Sequence, residues 1–292
     1  REEFHVNQRH YLLGHSDHEL GRLGRQAKLL GSTTAEYFAT AGLKPGMRVL
    51  DVGSGAGEVA FLAAALTTPG GQVIGTDTAT AAVREASATA SARGLSDTVR
   101  FLEGDPAELS FDRPFDAIVG RYVLVFQPDP AAMLRRLSQH LAPGGVMAFH
   151  EPDWRAVRSS PPAPTHDRCC EWIIETTDRA GVSWNMADRL HGAFTDAGLP
   201  APTLSMRTFV GAGDGAEAWL QAVVDIVETL LPVMEAQGVA TATEVGLDTL
   251  AERLTDEARE TCSTVVGRSE VAAWCHVGGE RVWEKPSDST GQ

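Results

Sequence analysis

The chain has 292 residues, 43% hydrophobic and 22% charged, which is ordinary globular composition and enough length for one large domain or one domain with a sizeable appendage. Its formal charge of −14, from 25 basic and 39 acidic residues, argues against a nucleic-acid partner, and no Lys/Arg-rich run offsets it. The four cysteines, Cys169, Cys170, Cys262 and Cys275, form no C-x-x-C pair and read as thiols of a reducing, cytoplasmic compartment. The best apolar run, Val59 to Leu66, falls well short of the roughly 20 residues a membrane helix needs, so no membrane partner is expected. No signal-peptide pattern is visible; the first residue is Arg1 rather than Met, as expected if a short leader precedes it.

In chain order, apolar residues at helical spacing (Leu20, Leu23, Ala27, Leu30) predict a helix over Ser16 to Ala39. Short apolar runs then alternate with helical stretches. Strands are predicted at Met47 to Val52, Gln72 to Thr76, Val99 to Glu103, Phe115 to Gly120 and Val146 to His150. Helices are predicted at Glu58 to Leu66, Ala79 to Arg93 and Pro130 to Leu141. Such alternation implies right-handed crossovers and a parallel sheet. After Trp154 the rhythm changes. A Pro-rich turn at Ser159 to Pro164 precedes helices at Thr165 to Ala180 and Ala187 to Ala197. A strand at Thr203 to Val210, two long helices at Glu217 to Ala236 and Thr243 to Val265, and a last strand at Glu270 to Val277 complete the reading. The fold class is therefore α/β, a Rossmann-like doubly wound, mostly parallel seven-stranded sheet with an added helical cap.

The first strand runs through Asp51-Val52-Gly53-Ser54-Gly55-Ala56-Gly57 into a helix. Glycines there open the backbone to a ligand and tolerate positive φ, and the helix start brings N–H groups beside it. A dinucleotide fingerprint would need a third glycine where Glu58 stands, and a carboxylate there suits a pyrophosphate badly. A phosphate loop would need Gly-Lys-Ser/Thr, and no Lys is present. A nucleoside-plus-amino-acid ligand fits G-x-G-x-G; a plain tight turn is the bland alternative. Two further strand ends favour a ligand. Asp77, 24 residues after Gly53, ends the second strand where an acidic residue accepts both ribose hydroxyls, and Glu103-Gly104-Asp105 ends the third, where an adenine edge would lie.

These residues resemble the class I S-adenosylmethionine-dependent methyltransferases from about Gly42 to Trp154, through Val-Leu-Asp-Val-Gly-Ser-Gly-Ala-Gly, Val-Ile-Gly-Thr-Asp, Glu-Gly-Asp, Pro-Phe-Asp-Ala-Ile-Val-Gly-Arg and Leu-Ala-Pro-Gly-Gly. The lead Tyr11 to Asp17, with Arg25-Gln26-Ala27, is similar to that of the small-molecule, ubiquinone-biosynthesis-like group. The resemblance implies S-adenosyl-L-methionine as cofactor and S-adenosyl-L-homocysteine as product. It implies that Gly53, Gly55 and Gly57 line the methionine and ribose, that Asp51 supports the ammonium group, and that Asp77, followed by Thr78, holds the ribose. Asp105 and Pro106 would meet the adenine, Arg121 the methionine moiety, and Gln26 the cofactor carboxylate. The expected organisation is an N-terminal lead over the cofactor site (1–45), a cofactor-binding core (46–154), the rest of the sheet with cap helices near 165–180 and 217–265 (155–285), and a frayed tail (286–292).

The family has no strict catalytic motif, so acceptor-side residues come from chemistry. Methyl transfer needs alignment and exclusion of water, and a base only for some nucleophiles. Glu151, at the end of the fifth strand, is the first candidate base or substrate orienter, Asp153 and His150 follow it, and His15 and Glu171 are further candidates. Tyr11, Asp153, Trp154 and Trp172 are candidates for contact with the substrate. Each has a bland reading: carboxylates that cap the next segment, a solvated helix face for Glu171, core for the tryptophans. The spacing of His150, Glu151 and Asp153 matches no specific metal site, and no metal is expected. The expected activity is methylation of a small, largely apolar metabolite at O, N or C in natural-product or secondary metabolism. A cofactor-binding enzyme without methyl transfer, such as a cyclase, and a non-catalytic binding or dimerisation module stay open, as does a homodimer through the helical cap.

Overall fold

The strand β1 (Arg48–Val52) is buried along its whole length, as expected of a central parallel strand covered on both faces. The computed structural model describes residues 30–278. They divide into two units.

Among the described residues the α/β unit comprises Leu30–Asp153, Asn185–Arg207 and residues 270–278. It opens with the described part of a first helix, α1, over residues 30–41. Then follow β1, α2 (Glu58–Thr67), β2 (Gln72–Asp77), α3 (Thr80–Ala92), β3 (Val99–Glu103), β4 (Phe115–Arg121), α4 (Pro130–Leu137) and β5 (Leu141–Asp153). The strand order is β3-β2-β1-β4-β5-β8, and the pairs β1–β2, β1–β4, β2–β3 and β4–β5 are all parallel. A doubly wound sheet reverses direction between β1 and β4, and ligands bind at the carboxyl ends there. Thin, alanine-rich helix faces let α2 and α3 lie close on the sheet: Ala60, Ala63 and Ala64 in α2, and Ala82, Ala86 and Ala90 at four-residue spacing in α3, are buried. Phe38, Val49, Phe61, Val73, Val99, Val119 and Val146 belong to one core cluster; burying each such large side chain favours the fold by roughly 1.5–3 kcal/mol. Asp129 starts α4 by accepting the Ala132 N–H at 2.9 Å, with Pro130 at the first helical position.

The helical unit comprises Trp154–Trp184 and Thr208–Ser269. It holds β6 (Arg158–Ser160), α5 (Pro164–Arg179), α7 (Glu217–Gln237), α8 (Ala242–Val245) and α9 (Leu247–Glu260). The Glu257 carboxylate on α9 accepts the Thr165 N–H at 2.8 Å and so closes the open end of α5. Trp219 on α7 packs flat on a strand: a Cβ at Gly267 would come within 2.6 Å of its ring. Helix α6 (Met186–Asp196) belongs to the α/β unit, and the strands β7 (Thr203–Ala212) and β8 (Thr264–His276), which pair with each other, run from one unit into the other.

The sheet is Rossmann-like and mostly parallel, as the alternation implies, with eight strands rather than seven. The eighth is β6, which pairs antiparallel with Thr264–Val266 at the start of what was expected to be a Pro-rich turn. The helix expected over Thr243 to Val265 is two helices. Gly246, in the left-handed conformation at φ +58°, stops α8 and starts α9, and β8 begins at Thr264, six residues before the expected strand. The helix expected to reach Leu141 ends at Leu137. Leu141 instead pairs with Phe115, and a register shift then brings Val146 opposite Ala117. No helix among the described residues is long and apolar enough to cross a membrane.

Candidate active site

The carboxyl ends of β1, β2 and β3 stand side by side in the order β3-β2-β1. The turn after β1 has φ values of +50° at Gly55 and +91° at Gly57, which L side chains rarely adopt. A Cβ at Gly57 would also meet Phe101 at 2.7 Å, whereas one at Gly55 would meet nothing within 4 Å. The turn is therefore packed at its helix end and open at its middle.

Asp77 holds this turn in place. Its Oδ2 accepts the Gly55 N–H at 2.9 Å, its Oδ1 accepts the Ala79 N–H at 2.9 Å, and its backbone oxygen accepts the Gly104 N–H at 2.9 Å. An ionised carboxylate has about four acceptor sites, so two remain for a vicinal diol. Asp105 is built the same way, with Oδ1 on the Ala107 N–H at 2.9 Å and Oδ2 4.0 Å from Arg136. Pro106 beside it is buried and Thr78 exposed.

Asp51 is fully buried, and neither of its carboxylate oxygens has a well-formed hydrogen bond among the described residues. Burial pushes its pKa well above the usual carboxylate range; Arg121 opposes that shift and Asp77 adds to it. A buried carboxylate without a well-formed hydrogen bond among the described residues suits a cationic ligand group, and the open glycine backbone with an acidic residue on the next strand suits a nucleoside. The residues present therefore fit S-adenosylmethionine.

On the other side of β1, Arg121 ends β4 and donates from Nη1 to Thr34 Oγ1 at 3.2 Å. Glu151 near the end of β5 is fully buried. Its Oε1 accepts the N–H groups of Val123 at 3.1 Å and Leu124 at 2.8 Å, and its Oε2 accepts that of Val125 at 3.2 Å. It thus caps the short 3₁₀ turn Leu124–Phe126. Burial raises its pKa to about 7, with those three N–H groups pulling the other way. Asp153 is buried and accepts the Ala187 N–H at 2.9 Å at the start of α6. In the helical unit, Trp154 is buried against Trp184 and Trp219 at ring-centroid distances of 5.0 and 5.4 Å. Trp172 is buried beneath the Arg168 guanidinium. Glu171 is exposed and pairs with Arg168 at 2.9 Å. Tyr11, His15 and Gln26 lie outside the described residues.

The α/β unit brings together Asp51, the three glycines, Asp77, Asp105, Arg121 and Glu151. It adds Thr34, Tyr122 and Glu270, which the sequence reading did not select. Tyr122 directly follows Arg121 and was within reach of a strand-end argument. Thr34 and Glu270 come from segments far away in sequence and carry no motif.

A parallel sheet of this order, with a glycine turn and acidic strand ends, defines a nucleoside-binding protein of the doubly wound kind. A family model described as a methyltransferase domain matches residues 43–195, just over half of the chain, which therefore belongs to that family, in its class I, S-adenosylmethionine-dependent form. Among its relatives, nocamycin O-methyltransferase of Saccharothrix syringae is 34% identical over 137 residues, 44% of this chain and 49% of that protein. The 2-phytyl-1,4-naphtoquinone methyltransferase of Synechococcus elongatus is 37% identical over 113 residues, 37% of this chain and 48% of that protein. The chain thus spans about half the length of the curated relatives it matches. The solved structure of the YcgJ protein of Bacillus subtilis shares the fold, with a TM-score of 0.53 at 19% identity, over 85% of this chain and 100% of that one.

Proposed function

We propose that the protein transfers a methyl group from S-adenosylmethionine to a small, largely apolar metabolite of natural-product or secondary metabolism. The observation that carries this reading is the pairing of the buried Asp51, which has no well-formed hydrogen bond among the described residues, with Asp77, whose carboxylate both tethers the Gly55 turn and keeps acceptor capacity in reserve. When bound, the cofactor supplies an activated methyl group on a cationic sulfur; the chain's residues bind, orient and exclude water. Asp77 would orient the ribose, with Thr78 at the same edge, Asp105 and Pro106 would face the adenine, and Asp51, Arg121 and Gln26 would hold the amino-acid end. Tyr11, Asp153, Trp154 and Trp172 are assigned here to the acceptor, and Glu151, His15 and Glu171 are the candidates for moving its proton.

Relatives named for nocamycin and for a phytyl-naphthoquinone support a small organic acceptor. The charge of −14 favours such an acceptor over a nucleic acid, and the absence of a C-x-x-C pair suits a cytoplasmic setting. The test is incubation with methyl-labelled cofactor and a panel of apolar hydroxy-, amino- and enol-bearing acceptors. Label in the acceptor together with S-adenosylhomocysteine is the expected result. Cofactor bound tightly with no transfer to any acceptor would overturn the reading.

A further inference from the structure

Beside the glycine turn lies a second group of ionisable side chains that donor binding does not use. Tyr122, one residue past β4, has φ +57°, a left-handed conformation that costs a bulky residue roughly 1–3 kcal/mol and persists where the surroundings over-determine it. Its N–H is held by the His150 carbonyl at 2.9 Å. In that pose its hydroxyl donates to Glu270 Oε2 at 2.6 Å. The same carboxylate oxygen lies 2.9 Å from His150 Nε2. His150 Nδ1 in turn lies 3.0 Å from Thr34 Oγ1, which accepts from Arg121.

Among the described residues this set is also faced by the Tyr37 ring, edge-on to His150 with its hydroxyl on the Glu270 carbonyl, and by Glu151, which feels the charge of Glu270. His150 is fully buried, Glu270 is 8% exposed, and Tyr122 is only partly buried. The set therefore has a closed end at Thr34 and reaches outward at Tyr122. Val123, the next residue, forms the wall of the glycine turn: its Cγ2 would meet a Cβ at Gly53 at 3.0 Å.

The hydrogen-bond ledger leaves a movable proton. Thr34 has one hydroxyl proton and two acceptors for it, the Leu30 carbonyl at 2.9 Å and His150 Nδ1 at 3.0 Å. With the proton on Leu30, Nδ1 must donate to Thr34; with it on Nδ1, the imidazole proton sits on Nε2 and points at Glu270. The network joins two proton placements to a carboxylate and a strained, partly exposed tyrosine.

We infer that Tyr122, Glu270 and His150, in place of the candidates Glu151, His15 and Glu171, form the proton acceptor for the methyl-accepting substrate, and that the accepting atom is therefore a protic oxygen, a phenolic or enolic hydroxyl, rather than an amine. This rests on the methyl transfer proposed above. As the new C–O bond forms, the substrate O–H bond breaks and its proton passes to the Tyr122 oxygen. The Tyr122 proton moves to Glu270 Oε2, so the carboxylate ends as a neutral acid. The C–S electron pair stays on the sulfur, which ends as an uncharged thioether. Tyr122 is the catalytic residue; His150 is a positioning residue that orients the Glu270 carboxylate.

The test compares the whole chain with its Tyr122→Phe, Glu270→Gln and His150→Gln variants. Calorimetry reads S-adenosylmethionine affinity, labelled transfer is followed to 2-naphthol and to 1-naphthylamine, and fluorescence is read from 2-naphthol with S-adenosylhomocysteine present. 2-Naphthol becomes strongly acidic when excited and, in a water-poor site, emits as its anion when a proton acceptor touches its hydroxyl. Cofactor affinity is expected to stay within about threefold, while naphthol methylation falls by about a hundredfold or more in Tyr122→Phe and Glu270→Gln, the scale of a lost general base, through kcat rather than KM. Anion emission is lost in the same two variants, and His150→Gln shifts the pH profile of transfer. Retention of both transfer and anion emission in Tyr122→Phe and Glu270→Gln would overturn the inference. So would a wild type that binds cofactor and methylates the amine while leaving 2-naphthol unmethylated, with methyl transfer itself still standing. A wild type with no affinity for S-adenosylmethionine would instead overturn the methyltransferase reading, and this inference with it.

Discussion

Among the described residues two histidines are buried almost completely, one in each unit, in opposite company. His166, in the helical unit, receives the Trp219 indole N–H on Nε2 at 3.0 Å and lies 2.9 Å from Asp167 through Nδ1. An indole can only donate, so Nε2 must accept and the ring proton is fixed on Nδ1. Asp167 is itself held by the Ser159 hydroxyl at 2.8 Å. The imidazole proton there has one place. His150, in the α/β unit, stands between a hydroxyl with two acceptors and a carboxylate shared with Tyr122. Burial is the same at both sites, 0% and 1% exposed. What separates structure from chemistry here is the freedom of a proton, not the depth of the side chain.

The sharpest way to break this contrast is to ask whether stability depends on pH in one unit only. Burial raises the Glu151 pKa from 4.5 to about 7, so the folded protein holds that proton more tightly than the unfolded chain does. The resulting stabilisation is fully present below the unfolded value and is lost as the pH climbs through about 7. Glu151→Gln removes it. Urea unfolding between pH 4 and pH 8 should show wild-type stability relative to the variant falling by up to about 3 kcal/mol as the pH rises. A gap that stays constant with pH would remove the distinction.

Next in size is Asp77→Ala, which deletes both the tether of the glycine turn and the diol acceptor. It should weaken S-adenosylmethionine by about a hundredfold, roughly 2.7 kcal/mol, in calorimetry. His166→Leu, by contrast, leaves the buried Trp219 N–H without its acceptor and should cost about 1–3 kcal/mol of stability. That loss should show no step between pH 5 and pH 8, and cofactor affinity should stay within twofold. The smallest effect belongs to Glu171→Gln on the exposed face of α5. The pair with Arg168 is more than half exposed on both sides, so thermal denaturation should register less than about 0.5 kcal/mol.

Much of the fold was legible because local patterns and tertiary structure agree in the first half of the chain. β3 occupies the expected residues Val99–Glu103, and α2 starts at the expected Glu58. The later chain misled where one residue outweighs a pattern. The periodicity of the segment Thr243 to Val265 is helical, yet Gly246 at positive φ divides it, and the β-branched run Thr264-Val265-Val266 turns its end into strand. β6 is three residues long and exists only because β8 pairs with it, so no local signal marks it. At the site, Asp51, Asp77 and Asp105 were visible because each stands at or close to the end of a strand. Glu151 was visible as a carboxylate, while its task of receiving three N–H groups from residues 123–125 depends on a register between β4 and β5 that spacing does not reveal. Glu270 and Thr34 were invisible for the same reason.

Phe101 has a further consequence for how the cofactor edge can change over evolutionary time. Its ring would meet a Cβ at Gly57 at 2.7 Å and one at Gly75, its partner in the β2–β3 register, at 2.5 Å. Two glycines, one in the turn after β1 and one on β2, are thus constrained by one aromatic side chain on β3. Any lineage that keeps the phenylalanine keeps both glycines, whatever is asked of the binding edge. Gly75 has no positive φ to restrain it, so its history is chained to residue 101, and a smaller side chain there must come before any change at 75. The order of substitutions along this edge is written into the packing.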